Sequence, residues 1–178
     1  SEVDDLTRRV RDVLRRVEEK VRDLHRRSEK VARDVEREVE ELHERSKDVA
    51  RKVEEKVRRI ERREDIKKLA EDLKRIVDES IKRIEELAKR LEKIVRETIK
   101  KVRELVEEVK RIVDDVIRKI RDKDVVDRIR REVEEMLRRL EDILRRNEDT
   151  VRRVKEKLKR IVKRDEEEVR KVLDRLRK

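Results

Sequence analysis

Four kinds of residue are missing from this 178-residue chain: glycine, proline, cysteine and the aromatic residues. Globular proteins average about 7% glycine and about 5% proline, and these two residues supply many of the backbone angles that turns need. Without cysteine, no disulfide framework can hold a loop-rich fold together. The absences therefore predict long regular elements joined by short turns.

Long hydrophobic runs are missing as well, since no more than two apolar residues follow one another. A membrane-spanning helix needs about 20 mostly apolar residues, and the core of a signal peptide needs about 7–15. The sequence therefore predicts neither segment and no membrane partner. The β-branched residues also never recur at every second position over a run, which argues against β-strands.

Charged residues make up 61% of the chain and apolar residues 33%. Such a composition predicts disorder when the apolar residues are scattered, but here they recur at steps of three and four, which is the spacing of an amphipathic helix. The net charge is +11, and basic residues are mixed with acidic ones throughout. Mixed charges are typical of a solvated surface, and no aromatic residue is present to stack on bases, so we expect no specific nucleic-acid partner.

Three apolar stripes follow one another along the chain, and each repeats every 18 residues, as in Val3, Val21, Val39 and Val57. Eighteen residues make about five turns at 3.6 residues per turn, so repeated positions share one face of a helix with little supercoil. The stripes change phase at two places. These places predict turns between three helices.

The predicted turns lie at 62–64 and 121–123, with Asp65 and Asp124 as the N-caps of the helices that follow. Ser1 is the predicted N-cap of the first helix. Helices that short turns connect must alternate in direction.

The predicted fold is all-α: a single-chain, up-down-up three-helix bundle of long, nearly straight helices. One domain is expected over 1–178, with helices at about 2–62, 65–121 and 124–177. The apolar arcs of the three helices together cover about 360°, which is enough to close a three-helix core.

Polar residues interrupt the stripes at matching places. The segment Leu-His-x-x-Ser occurs at 24–28 and again 18 residues later at 42–46, and the two copies hold the only two histidines of the chain. Folding the chain at the predicted turns places Ser28 opposite residue 99, within one residue of Thr98. The same folding predicts two clusters of buried polar side chains. One contains His25, Ser28, Thr98 and Asn147, and the other contains His43, Ser46, Ser80 and Asp165.

The predicted role of these clusters is structural. A buried polar group without a hydrogen bond costs about 1–3 kcal/mol, so clustered groups must satisfy one another. Sliding one helix along its neighbours by a turn would separate the groups of each cluster and leave them unpaired. The clusters are therefore expected to specify the register of the helices.

Catalytic and metal-binding interpretations of the same residues are weaker. Ser46, His43 and Asp165 have the residue types of a hydrolase triad, but the sequence has no glycine-containing nucleophile elbow, and a filled core offers no cleft. The two histidines lie about 27 Å apart by helical rise, which is too far for a shared metal ion. We therefore predict no enzyme, no metal and no cofactor.

A pH response is a further hypothesis, because histidine titrates near neutral pH. We expect protonation of His25 to destabilise the bundle, since no acidic residue lies at its level. We expect His43 to tolerate acid better, because Asp165 lies at its level.

The chain resembles computationally designed helical bundles with buried hydrogen-bond networks. The resemblance rests on the 18-residue repeat, on the four missing kinds of residue and on the Leu-His-x-x-Ser segments at 24–28 and 42–46. It implies that the polar residues pair across helices and that the chain is a structural scaffold without a natural biochemical function. The alternative is an interaction module that forms a homo- or hetero-oligomeric bundle, pH-responsive through His25 and His43. No partner is required by the first interpretation, whereas the second needs self-association or a helical partner.

Overall fold

The computed structural model describes residues 1–177, and its fold is a three-helix bundle. The helices are α1 (Glu2–Val57), α2 (Arg63–Arg118) and α3 (Lys123–Leu176). They account for 94% of the structure and pack against one another, and residues 1–177 contain no strand. The predicted all-α, up-down-up three-helix bundle is therefore confirmed. None of these helices has an apolar stretch long enough to cross a membrane.

The apolar repeat explains which face of each helix is buried. Val21 and Val39 of α1 stand 18 residues apart, and both side chains are completely buried. Leu73, Leu91 and Val109 of α2 follow the same spacing and are completely buried too. Burying one such side chain stabilises the fold by about 1.5–3 kcal/mol, so a stripe repeated along three helices supplies most of the driving force.

The first turn comes earlier than predicted. Helix α1 ends at Val57, where the N–H of Ile60 donates to the Val57 carbonyl over 3.2 Å in a tightened final turn. Helix α2 begins at Arg63, and the predicted N-cap Asp65 lies inside its first turn. Asp65 was assigned wrongly because the stripe shows where the apolar phase changes and not which residue leaves the helix. An acidic residue is favourable in the first turn as well as at the cap, since it faces the positive end of the helix dipole.

The second turn also comes earlier, because α2 ends at Arg118. The N-cap of α3 is Asp122 and not Asp124, since the Asp124 N–H donates to Asp122 Oδ1 over 3.0 Å. The prediction for the first helix is confirmed: the Asp4 N–H donates to Ser1 Oγ over 3.3 Å.

Surface ion pairs show the alignment of α1 with α3. Arg11 contacts Glu132 at 3.0 Å, and Glu18 contacts Arg139 at 3.0 Å. The partners are 121 residues apart in both pairs, as expected of two helices that run in the same direction. These side chains are largely exposed, and such pairs contribute about 0–1 kcal/mol each.

The chain divides into two compact units, each built from segments of all three helices. Unit 1 consists of Ser1–Lys30 and Lys93–Thr150, and unit 2 consists of Val31–Glu92 and the chain from Val151 onward. That the whole chain forms one domain stays a prediction.

Each unit has its own cluster of buried apolar side chains. The cluster of unit 1 contains Val10, Leu14, Val17, Val21, Val102, Val109, Val113, Val116, Ile120, Ile129, Val133, Met136 and Leu140. The cluster of unit 2 contains Ala50, Val53, Leu73, Val77, Ile81, Val169 and Val172.

Candidate functional site

The polar residues singled out in the sequence fall into two sets, one in each unit. We call His25, Ser28, Thr98 and Asn147 the first polar layer, which belongs to unit 1. Helix α1 supplies the histidine and the serine, α2 the threonine and α3 the asparagine. Ser28, Thr98 and Asn147 are buried, and the His25 side chain is 14% exposed.

His25 faces oxygen atoms with both ring nitrogens. Its Nδ1 is hydrogen-bonded to Asn147 Oδ1, and its Nε2 lies 2.9 Å from Glu29 Oε1. The expectation that no acidic residue accompanies His25 is therefore wrong. Glu29 follows four residues later on α1, and side chains at this spacing are neighbours on a helix.

Two hydroxyl groups join α1 to α2 in the first polar layer. Ser28 Oγ and Thr98 Oγ1 are 3.0 Å apart, and the Thr98 hydroxyl also lies 3.0 Å from the carbonyl oxygen of Ile94. A hydroxyl has a single proton, so when Thr98 donates to Ile94, Ser28 must donate to Thr98. The amide nitrogen Nδ2 of Asn147 is buried without a hydrogen-bond partner.

The second polar layer consists of His43, Ser46, Ser80 and Asp165 and belongs to unit 2. His43 Nδ1 lies 2.6 Å from Asp165 Oδ1, a contact between α1 and α3. The Asp165 side chain is 2% exposed and the His43 side chain 11%. This contact has the same place in its layer as the bond between His25 and Asn147.

The serines of the second polar layer do not pair. Ser46 Oγ and Ser80 Oγ are buried, and neither has a hydrogen-bond partner; the same holds for Asp165 Oδ2. The structure therefore brings His43 and Asp165 together but does not join the two serines. Sequence spacing could not show this, because the pairing of hydroxyls depends on side-chain torsions.

Burial raises the pKa of Asp165 above its ordinary value. The hydrogen bond from His43 and the charges of His43 and Lys47 act in the opposite direction, and the Glu168 carboxylate adds to the increase. The ionised Asp165 is thus only partly compensated, because removing a carboxylate from water disfavours its charged form.

A cavity of about 200 Å³ lies against the second polar layer. Three layer residues line it, namely His43, Ser46 and Asp165. The other lining residues are Lys47, Ala50, Val77, Arg164, Glu167, Glu168, Val169 and Lys171. The sequence analysis expected a filled core and missed this cavity. Its only signal in the sequence is the small size of Ser46 and Ala50 on α1.

The triad interpretation of Ser46, His43 and Asp165 lacks one of its contacts. The Ser46 hydroxyl has no hydrogen-bond partner, so it is not bonded to His43 as a nucleophile is bonded to its base. Among residues 1–177, no three or more histidine, cysteine, aspartate or glutamate side chains converge in a way that could hold a metal ion.

No protein-family model and no curated protein matches the chain. It is similar to a solved structure described as a "Computationally designed three helix bundle". The TM-score is 0.57 at 17% sequence identity, over 97% of this chain and 83% of that chain. Likeness at this level of identity shows the fold, and it agrees with the three-helix bundle described above.

Proposed function

We propose that the chain is a designed structural scaffold without a natural biochemical activity, and that its polar layers specify how the helices align. Three features support a designed origin: the strict 18-residue repeat, the lack of glycine, proline, cysteine and aromatic residues, and the likeness to a designed three-helix bundle. Natural globular sequences rarely combine such regularity with such a narrow composition.

The bond between Ser28 and Thr98 is the observation that carries the proposed role of the layers. An apolar stripe with steps of three and four presents a similar surface at every turn, so it discriminates weakly between helix alignments. A polar pair inside that stripe discriminates strongly. If α2 slides along α1 by one turn, both hydroxyls lose their partner inside the core, at about 1–3 kcal/mol for each group.

Thiol cross-linking in this cysteine-free chain tests the proposal. Arg11→Cys with Glu132→Cys reports the observed alignment of α1 and α3, because the native side chains touch. Arg11→Cys with Glu135→Cys reports an alignment shifted by about one turn. Both pairs are treated with a short thiol cross-linker, in the parent chain and in a variant whose first polar layer is apolar. That variant carries His25→Leu, Ser28→Val, Thr98→Val and Asn147→Leu.

The parent chain is expected to cross-link only the first pair, and the apolar variant to cross-link both. The matched control exchanges Ser28→Thr with Thr98→Ser, which keeps two hydroxyls at the same place and is expected to behave as the parent. The proposal fails if the apolar variant cross-links only the pair that reports the observed alignment.

A second candidate function is a pH response, and the surroundings of His25 favour it. The doubly protonated ring can donate to Asn147 Oδ1 and to Glu29 Oε1 at once, whereas the neutral ring has only one N–H. Acid is thus expected to strengthen the first polar layer, which reverses the expectation drawn from the sequence. Thermal unfolding of the parent and of His25→Gln across pH 5–8 tests this: the parent's advantage should grow towards low pH, and a constant difference would rule it out.

A further inference from the structure

Two unpartnered polar side chains line the cavity of unit 2. Asp165 is 3% exposed and Ser46 is 5% exposed, and each has a side-chain oxygen without a hydrogen-bond partner. Native proteins satisfy almost all buried polar atoms. A cavity with two such oxygens in its lining has the features of a binding site for a small polar molecule.

The free atoms restrict the chemistry of the ligand. An ionised carboxylate can only accept hydrogen bonds, and His43 already occupies Oδ1 of Asp165, so a ligand must donate to Oδ2. A second donor can bind Ser46 Oγ. The remaining walls include the apolar side chains of Ala50, Val77 and Val169, which favour an apolar end on the ligand. At about 30 Å³ for each water molecule, the cavity has room for a compact molecule only.

We propose that this cavity is a binding site for a small amidinium cation, whose N–H groups donate to Asp165 Oδ2 and Ser46 Oγ. An amidinium is planar and carries parallel N–H donors, a geometry that suits carboxylate recognition, as in arginine. Acetamidinium also has a methyl group to place against the apolar walls. It is therefore the probe of choice.

Charges around the cavity set the competition for this site. Lys47, Arg164 and Lys171 bring positive charge, and Glu167 and Glu168 bring negative charge. Lys47 is the main intramolecular competitor, because its charge already acts on Asp165. Replacing it by Lys47→Met should tighten binding of the probe.

The buried state of Asp165 gives the binding a pH dependence. Burial raises the pKa of this carboxyl, and only the ionised form attracts a cation. The affinity for acetamidinium is therefore expected to increase as the pH rises through the titration of Asp165. At that carboxylate the site faces His43 and Lys47 of α1 and Glu168 of α3.

Proton NMR provides a direct test, because the two histidines are the only residues with aromatic rings. The ring protons of His43 report unit 2, and those of His25 report unit 1 in the same sample. Acetamidinium chloride is titrated at constant ionic strength, with neutral acetamide as the control ligand. We expect a saturable shift of the His43 signals in the millimolar range, no such shift for His25, and a much weaker effect of acetamide.

Two variants separate the site from a general effect of the salt. Asp165→Asn gives the second polar layer the His–Asn pair that the first already has, and it should weaken binding by about tenfold or more, as expected for loss of a charged hydrogen bond. Ser46→Ala should weaken binding less and leaves Asp165 in place. The proposal is overturned if no saturable shift occurs, if both histidines shift together, if acetamide binds equally well, or if Asp165→Asn and Ser46→Ala both bind as the parent does.

Discussion

The two polar layers follow one plan but differ in how well their groups are satisfied. In unit 1, Ser28 bonds to Thr98, and His25 has an oxygen acceptor at each ring nitrogen. In unit 2, the bond between His43 and Asp165 is present, whereas three buried oxygens lack partners. The positions are related by the 18-residue repeat, so the difference comes from the residues themselves.

Two substitutions explain the contrast. Thr98 of the first layer is replaced by Ser80 in the second, and Asn147 by Asp165. A threonine has few side-chain torsions to choose from, and the bond of Thr98 to the Ile94 carbonyl fixes its hydroxyl where Ser28 can reach it. A serine is less restricted. The asparagine is neutral, whereas the aspartate brings a charge that burial disfavours.

The largest effect should come from removing each histidine. His43→Ala leaves a buried carboxylate without its partner and is expected to lower the free energy of unfolding by about 3 kcal/mol at neutral pH. His25→Ala leaves a neutral amide and is expected to cost about 1–2 kcal/mol. Denaturant titration followed by circular dichroism measures both. Equal losses would contradict the contrast between the layers.

Asp165→Asn should stabilise the protein by about 1–2 kcal/mol at neutral pH, because it removes a desolvated charge and keeps an acceptor for His43. The folded-state pKa of Asp165 lies above its unfolded value. The ionised group therefore costs stability above the folded pKa, and this cost disappears as the pH falls below the unfolded pKa. Unfolding of both proteins at neutral and acidic pH should show the advantage of the variant shrinking in acid. An advantage that grows in acid would show the opposite sign.

Ser80→Thr should make the second polar layer more like the first. The added methyl group restricts the hydroxyl and brings it within reach of Ser46, so a gain of about 1 kcal/mol is expected. The reciprocal variant, Thr98→Ser, should lose about as much. Thermal and denaturant unfolding of the two variants provide the measurement, and changes of the same sign in both would refute the explanation based on threonine.

The smallest effect concerns Glu29. Its side chain is 39% exposed, so its contact with His25 is screened and should contribute about 0.5 kcal/mol to stability when His25 is protonated. Glu29→Gln should therefore reduce stability slightly at pH 5 and not at pH 8. As a control, Lys47→Gln changes the residue at the equivalent position after His43 and should not show this dependence.

Much of this architecture was predictable because it depends on periodicity. The 18-residue repeat identified the buried faces, and folding at the turns placed Ser28 opposite residue 99, one residue from its partner Thr98. The helix ends were less accurate, since a change of stripe phase does not identify a cap such as Asp122.

Other features were beyond the sequence pattern. The apolar stripes continue through residues 30 and 31, so nothing marks the limit between the two units. The unpaired serines and the cavity depend on side-chain torsions and on small differences in packing. The contact of His25 with Glu29 was accessible from the four-residue spacing, but the search for partners considered only other helices.

The comparison of the two layers also refines the proposed scaffold function. If satisfied polar groups specify helix alignment, the first polar layer should do so more strongly than the second. The relevant quantity is the amount of shifted cross-link that forms when one layer at a time is made apolar.

The most direct measurement is therefore paired thiol cross-linking in both units. Unit 1 is probed with the cysteine pairs at 11/132 and 11/135. Unit 2 is probed with Glu54→Cys and Arg175→Cys, whose native side chains lie 2.5 Å apart, and with Glu54→Cys and Lys171→Cys as the shifted pair. The account predicts abundant shifted cross-link in unit 1 when the first layer is apolar, and less in unit 2 when the second layer is apolar. Shifted cross-link in neither case would contradict it, because the apolar stripes alone would then determine how the helices align.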